Sequence, residues 1–512
     1  MASRRDQLNA YTFAKRRMLA SFVQSSPDAS DEGAPRPLRA IVPGAIVGAI
    51  VLAAFGAWGM FKPTAPEGWD EPGQKVIIAS KSTTRYVVLT THHKTQLHPV
   101  LNMASAKLVL DTQSSGGVDV VTVDESILDN GKIPHGVTIG IPYAPDRLPS
   151  DKEAGAEKRW AVCERPSGSG SSIQKAAFVL AKRDLGRTEG AKQKLHGGEL
   201  LYVTTPSDQK QYIVDARGWA YQVDATDPLM LRTLVGDDRR PQKVTKEWMA
   251  TLHTGAPISF PRIPGVIGAP ANAPGQLDSS ANRVGMVLRA PVNGKEQHYV
   301  VLQGRVAHVS DFVAQLLLAS KDLVKLGQAG HAREVSSGAI QPKAPFATDH
   351  KWPTETPSAV NEASTADGSR NTVCNVLRDV DAKDGATTLS TWAGTDFPAV
   401  LATGSSSAYV TAGSGQLYRQ FQGKETKAGP VFLVTDTGLR YALQSNDDSA
   451  TNDAGIGITT KQRKQLQQEA KLAQTRLGYA GVDPAPIPAA WSEFLPTGPR
   501  LSTAAARQPQ GS

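Results

Sequence analysis

The sequence predicts an α+β protein with an N-terminal cytosolic helix, a single transmembrane helix and a pseudo-two-fold extracytoplasmic domain of four β-rich repeat units. Three observations lead there. An uncharged run, Ala40 to Phe61, follows a basic leader. Four hairpin-like stretches start at Tyr86, Tyr212, Tyr299 and Phe432, spaced by 126, 87 and 133 residues. The only two cysteines, Cys163 and Cys374, lie 77 and 75 residues beyond the first and third of those starts.

The leader contains SRRDQLNAYTFAKRRM, Ser3 to Met18. As a helix it brings Leu8, Tyr11, Met18 and Phe22 near one face, interrupted by Lys15, with Asp6 suited to the first turn. Two roles compete for it. A basic helix can lie on anionic lipid, each Lys or Arg being worth about 1 kcal/mol near the surface. Alternatively it docks on cytosolic parts of partner subunits through Arg4, Arg5, Leu8, Tyr11, Phe13, Arg16, Arg17 and Met18. Lipid attraction accounts for the charge but not for the run Asn9–Phe13, which favours docking with lipid helping to orient the helix.

The uncharged run spans roughly 33 Å as a helix, enough to cross a hydrocarbon core of about 30 Å. Arg36 and Arg39 precede it, whereas Glu67, Asp70 and Glu71 follow, so the Lys/Arg bias places the N-terminus in the cytoplasm. A cleaved signal peptide fits poorly, because the apolar stretch is too long and lacks a clear A-x-A site. Within the span Gly44 and Gly48 form a GxxxG pair, and Ala45, Ala49, Ala53 and Ala57 recur every fourth residue. Such a stripe lets another helix approach closely; small residues are also simply common in membrane helices.

Beyond the span, QYIVDARGWAYQV (Gln211–Val223) and VFLVTDTGLRYAL (Val431–Leu443) match as strand, glycine turn and return strand. Further on, KEWMATLHTG and AAWSEFLPTG coincide at Trp248/Trp491, Leu252/Leu495, Thr254/Thr497 and Gly255/Gly498. Both tryptophans are expected as core anchors. RYVVLTTHHKTQLHPV from Arg85 and HYVVLQGRVAHV from His298 open the other two units, each leading into a helix-compatible stretch. The long–short–long spacing is that of a two-unit block copied once. Equivalent residues meet at a pseudo-two-fold axis, so a Cys163–Cys374 disulfide is expected in an oxidising compartment; two buried free thiols are the alternative.

The boundaries read as 1–39 cytosolic helix and tether, 40–61 transmembrane helix, 62–260 first ectodomain half with units 1 and 2, 261–296 connector, 297–498 second half with units 3 and 4, and 499–512 disordered tail. Ser25–Pro37 is the flexible part of the tether, and Ser336–Arg370 a polar insertion expected as loop.

Chemistry is sparse. Net charge is +8 over 512 residues, but residues 1–39 hold seven Lys/Arg against four Asp/Glu and the remainder 49 against 44, with no basic stripe, so nucleic acid is not an expected partner. Gly294-Lys295 and Gly423-Lys424 lack the rest of a phosphate cradle. The Ser/Gly runs Ser167–Ser172 and Gly404–Ser407 contain no GxSxG and read as loops. His92, His93 and His98 lack zinc-site spacing. Asp215 and Asp436 suit turns. No catalytic residue, metal site or cofactor is expected.

SRRDQLNAYTFAKRRM before a single span resembles the N-terminal signature of the EccB family of type VII (ESX) secretion systems. QLHPVLNMASAKLVL, GIPYAPDRLP (Gly140–Pro149), WAVC and LGYAGVDPAPIPAAWSEFLPTGPRLS carry the resemblance across the chain. Tyr143 departs from it, standing where a smaller residue is expected. The resemblance implies a structural and assembly subunit of the secretion complex in the cytoplasmic membrane, working with EccC, EccD and EccE and contacting the mycosin protease. It also implies four repeat units around a central domain shared by both halves, one disulfide, and self-association through the ectodomain. Some family members carry an ATPase label, so an ectodomain ATPase is the alternative, with ATP as its only cofactor. A module binding cell-wall polymer ranks last, since aromatic residues make up only 6% of the chain.

Overall fold

The computed structural model describes residues 3–23, 37–61, 65–91, 94–110, 118–167, 172–401, 407–443, 468 and 470–510. His92, His93, most of the tether and most of both Ser/Gly runs lie outside these residues. The chain divides into two compact units, one of residues 1–69, 79–81 and 122–132, the other of residues 70–78, 82–121 and 133–512.

In the first unit, Arg4–Val23 and Pro37–Phe61 are α-helices. Ser3 and Asp6 start the former as a capping pair, with Ser3 N donating to Asp6 Oδ2 at 3.1 Å. The latter contains Ile41–Gly59, long and apolar enough to cross a membrane, with Pro43 removing one N–H from its first turns.

The second unit holds four small sheets around a five-stranded one, and the same path recurs in each small sheet. Three antiparallel strands come first: Lys75–Ala79, Arg85–Thr91 and Lys94–Val100; Glu199–Thr204, Gln211–Asp215 and Trp219–Val223; Val287–Val292, Lys295–Leu302 and Arg305–Val309; Gly415–Phe421, Val431–Thr435 and Arg440–Ala442. A helix follows each meander: Met103–Val109, Pro228–Val235, Asp311–Ala319 and residues 470–476. In the second, third and fourth sheets a short strand then runs parallel to the first strand. Finally a segment runs parallel to the third strand: His135 and Ile139, His253–Thr254, Pro342–Lys343, and Thr497.

Arg159–Pro166, Ile173–Leu180, Thr372–Val380, Thr387–Gly394 and Ala408–Val410 make the central sheet, with the 372–380 strand lying between 159–166 and 387–394. One face carries the inward side chains Trp160, Val162, Val373 and Leu377 against the second and fourth small sheets. The other small sheets dock outside these. The first shares a core with the fourth, through Val87, Leu108, Leu417 and Tyr441, and the third with the second, through Val300, Phe312, Tyr221 and Leu234.

Three expected boundaries are corrected. Of the expected disordered tail 499–512, residues 499–510 are ordered and the last two lie outside the described residues: Ser502 caps the short helix Thr503–Ala506, Leu501 and Ala506 are fully buried, and Gln510 donates from N to Thr138 O and from Nε2 to Gly140 O, both at 2.8 Å. Alanine-rich composition hid this, because methyl groups fit a close-packed seat without adding hydropathy. The connector 261–296 already contains the strand Val287–Val292, which Pro291 and the neighbouring glycines disguise. The insertion 336–370 is not only loop, since Pro342–Lys343 and Ser358–Ala359 extend the third and second sheets.

Candidate functional site

The centre of the second unit is built from two short motifs, WAVC and NTVC. The strands carrying them pair antiparallel, with Cys374 opposite Cys163, Val376 opposite Ala161 and Leu377 opposite Trp160. The cysteines are disulfide-bonded and fully buried. Trp392, Phe178 and Ala399 cover this face.

On the same strands, tryptophans lock the small sheets in place. Trp248 Nε1 donates to Val162 O at 3.2 Å, and Trp160 Nε1 donates to Gln416 Oε1 at 2.8 Å. Trp248 and Trp491 are both buried core residues. Glu164, fully buried beside Cys163, accepts from Thr245 N at 2.8 Å and Thr245 Oγ1 at 2.5 Å. Thr245 in turn caps the helix Lys246–Met249, its Oγ1 accepting from Trp248 N. Burial pushes the Glu164 carboxyl up to about 7 against the pull of those two hydrogen bonds and of Lys175.

The glycines of the TG pairs have a steric reason. A Cβ at Gly255 would lie 2.4 Å from the Tyr221 ring, and one at Gly498 would lie 2.5 Å from the Tyr441 ring. Each tyrosine hydroxyl reaches its own hairpin turn, Tyr221 to Asp215 at 3.4 Å and Tyr441 to Thr437 at 3.3 Å. Asp215 also accepts from the backbone of Arg217 and Trp219, and Asp436 from Gly413 N, so both aspartates serve turns.

A cavity of about 280 Å³ lies between the residues 250–253 and 488–491, floored by Gly385, Thr387 and Phe421. Its one imidazole, His253, pairs through Nε2 with Thr387 O at 3.1 Å and lies against Trp219. His98 is buried, with Nδ1 2.9 Å from Val137 O. Among the described residues no group of three His, Cys, Asp or Glu is disposed to hold a metal.

The remaining residues singled out in the sequence are on open surfaces. Arg4, Arg5, Leu8, Tyr11, Phe13, Arg16, Arg17 and Met18 are all exposed on their helix. Tyr11 and Phe13 lie about 200° apart around it, so the apolar residues do not form a single stripe. On the span, Gly44, Ala45, Gly48, Ala49, Ala53 and Ala57 are exposed, and a Cβ at Gly44 or Gly48 would meet nothing within 4 Å. Tyr143 takes φ +61° in the Ile141–Ala144 turn, a conformation suited to glycine, which gives the expected smaller residue its physical reason. Asn102 Nδ2 holds that turn by donating to Ile141 O at 2.7 Å.

Sequence reading missed Glu164 and the third-sheet strand at Val287. A carboxylate directly after the paired cysteine was the available signal for the former.

An α+β protein with one helix long and apolar enough to cross a membrane, and a disulfide at the middle of its central sheet, is the class these features define. Residues 1–511 match the family model for the type VII secretion system ESX-1 transport TM domain B, and the chain belongs to that EccB family. It is 25% identical over 535 residues to the ESX-3 secretion system ATPase EccB3 of Mycobacterium tuberculosis (strain ATCC 25618 / H37Rv), covering 98% of this chain and 88% of that protein. To the ESX-1 secretion system ATPase EccB1 of the same strain it is 27% identical over 318 residues, 62% of this chain and 61% of that relative. The match thus spans about three-fifths of that curated relative's length. Among solved structures, an intact ESX-5 inner membrane complex contains a chain of the same fold, with TM-score 0.56, 17% identity, and coverage of 100% of this chain and 96% of that one. An EccB3 dimer from the ESX-3 core complex gives TM-score 0.53, 20% identity, and coverage of 85% and 100%.

Proposed function

We propose that this chain is a structural and assembly subunit of a type VII (ESX) secretion complex in the cytoplasmic membrane. Its basic helix is the cytosolic handle, its single helix the anchor, and its ectodomain the extracytoplasmic part that associates with further copies. The observation carrying this reading is the combination of one apolar helix, Ile41–Gly59, with an ectodomain whose buried polar groups serve its architecture: Glu164 holds the capping Thr245, Asp215 closes a turn and Asn361 braces the second sheet at Tyr202 and Gln242. Family membership and the structural neighbours, a chain of an ESX-5 inner membrane complex and an EccB3 dimer, support it. The Lys/Arg bias supports the cytosolic N-terminus. EccC, EccD and EccE are the proposed partners, with the mycosin protease a further candidate.

Affinity purification of the full chain from membranes, with native mass measurement of what accompanies it, tests the proposal. Recovery of a stable multi-subunit membrane complex is the expected result; a chain recovered alone under mild detergent would overturn it. The relatives' names include ATPase, and hydrolysis by purified full-length protein that survives repeated purification would favour that alternative.

A further inference from the structure

Arg159 opens the strand Arg159–Pro166, and Arg378 lies near the end of its neighbour Thr372–Val380. The paired register of the two strands ends at Leu377 opposite Trp160, and Arg378 follows at a bulge, close enough to Arg159 for the two guanidinium groups to share one carboxylate. Like charges facing each other across strands repel. What joins these two is one carboxylate. Glu189 Oε1 accepts from Arg159 Nη1 at 2.5 Å and also from Arg378 Nη1, while Glu189 Oε2 accepts from Lys194 Nζ at 2.8 Å. Three cations therefore share a single acceptor group. Elsewhere the balance runs the other way, as where Arg289 alone meets Glu296 and Glu334.

The hydrogen bonding is also incomplete. The Arg159 and Arg378 side chains are only 19% and 16% exposed, yet Arg159 Nε and Arg378 Nη2 have no acceptor among the described residues. Donors that deep are ordinarily satisfied. Arg378 Nε donates to Ser390 Oγ at 2.7 Å, so Ser390 accepts there and retains its own proton to donate. Burial and the neighbouring Arg378 both hold the Arg159 guanidinium below its usual value, with Glu189 and Glu157 opposing. Glu189 and Lys194 are about one-third exposed, which leaves the cluster open to solvent on their side.

We propose that Arg159, Arg378 and Lys194, beside Glu189, form a binding site for a small oxyanion of the phosphate or carboxylate class. A second negative charge would offset the like-charge pair. Guanidinium forks match the geometry of such an ion.

Thermal unfolding of the full-length protein in detergent tests this, comparing inorganic phosphate with chloride at matched ionic strength. Phosphate stabilises most proteins weakly and without saturation, so the expected result is a saturable rise in Tm. Arg159→Gln and Arg378→Gln should abolish the saturable part. Lys194→Gln, on the exposed side where folding is not at stake, should weaken phosphate about tenfold, the loss of one charge-assisted hydrogen bond. Arg165→Gln, whose contacts are Asp396, Gln174 and Phe397 rather than the cluster, should leave it unchanged. A response to phosphate no different from chloride, or one that Lys194→Gln leaves intact, would overturn the proposal.

Discussion

Cys163 and Cys374 face each other across the antiparallel pair in the middle of the central sheet, with Cα atoms 4.0 Å apart and a sequence separation of 211 residues. One covalent bond thus ties together two central-sheet strands that stand far apart in the sequence. Cross-linking so long a loop stabilises by roughly 5 kcal/mol at most in the loop-entropy model. Denaturant unfolding of the Cys163→Ala/Cys374→Ala variant should show a loss of several kcal/mol with the fold retained at low temperature. Alkylation of native protein should find no free thiol; two modified cysteines would refute the bond.

Glu164 predicts a pH dependence whose sign is opposite to that of most carboxylates. Its folded value, about 7, lies above the ordinary 4.5, so the folded state holds the proton more tightly. The associated stability, on the order of 3 kcal/mol, is fully present below about pH 4.5 and is lost as pH rises through about 7. Glu164→Gln should flatten that part of the stability curve between pH 5 and 8, measured by chemical denaturation. A slope unchanged by the substitution would show that other groups control it.

Gly255→Ala and Gly498→Ala each drive a methyl group into a buried tyrosine ring, at 2.4 and 2.5 Å. Each should cost about 2 kcal/mol, in the usual range for overpacking. Tyr221→Leu should partly relieve the first but not the second, a pattern readable from thermal melts of the double variants.

Deleting residues 499–512 removes Leu501, Ala505 and Ala506 from the core shared by the first and fourth sheets. Hydrogen exchange should then accelerate around the helix Met103–Val109 and at residues 138–140, while the second and third sheets stay protected. Uniform protection would mean the segment contributes nothing.

Charge reversal at Arg16 and Arg17 should lower recovery of the membrane complex while leaving ectodomain melting unchanged. Deletion of residues 3–18 with assembly intact would count against a docking role for this helix.

The linear order of residues determined much of this molecule, because the signals were local or periodic. An uncharged run of helical length specifies a span, and two motifs repeated with the same offsets specify equivalent hairpins. Gly255 and Gly498 were visible as matched letters, although only the ring beside each explains why no side chain is tolerated. Tyr143 was visible as an oddity, and its positive φ supplies the cause. The tertiary structure alone decided that the first sheet packs on the fourth and the third on the second, since the match between apolar faces is not written in their spacing. It also decided that Glu164 is buried, that Arg378 and Arg159 meet on Glu189, and that the alanine-rich C-terminal residues are seated. Each depends on segments tens to hundreds of residues away closing over the side chain, and burial of that kind leaves no periodic trace in the segment itself.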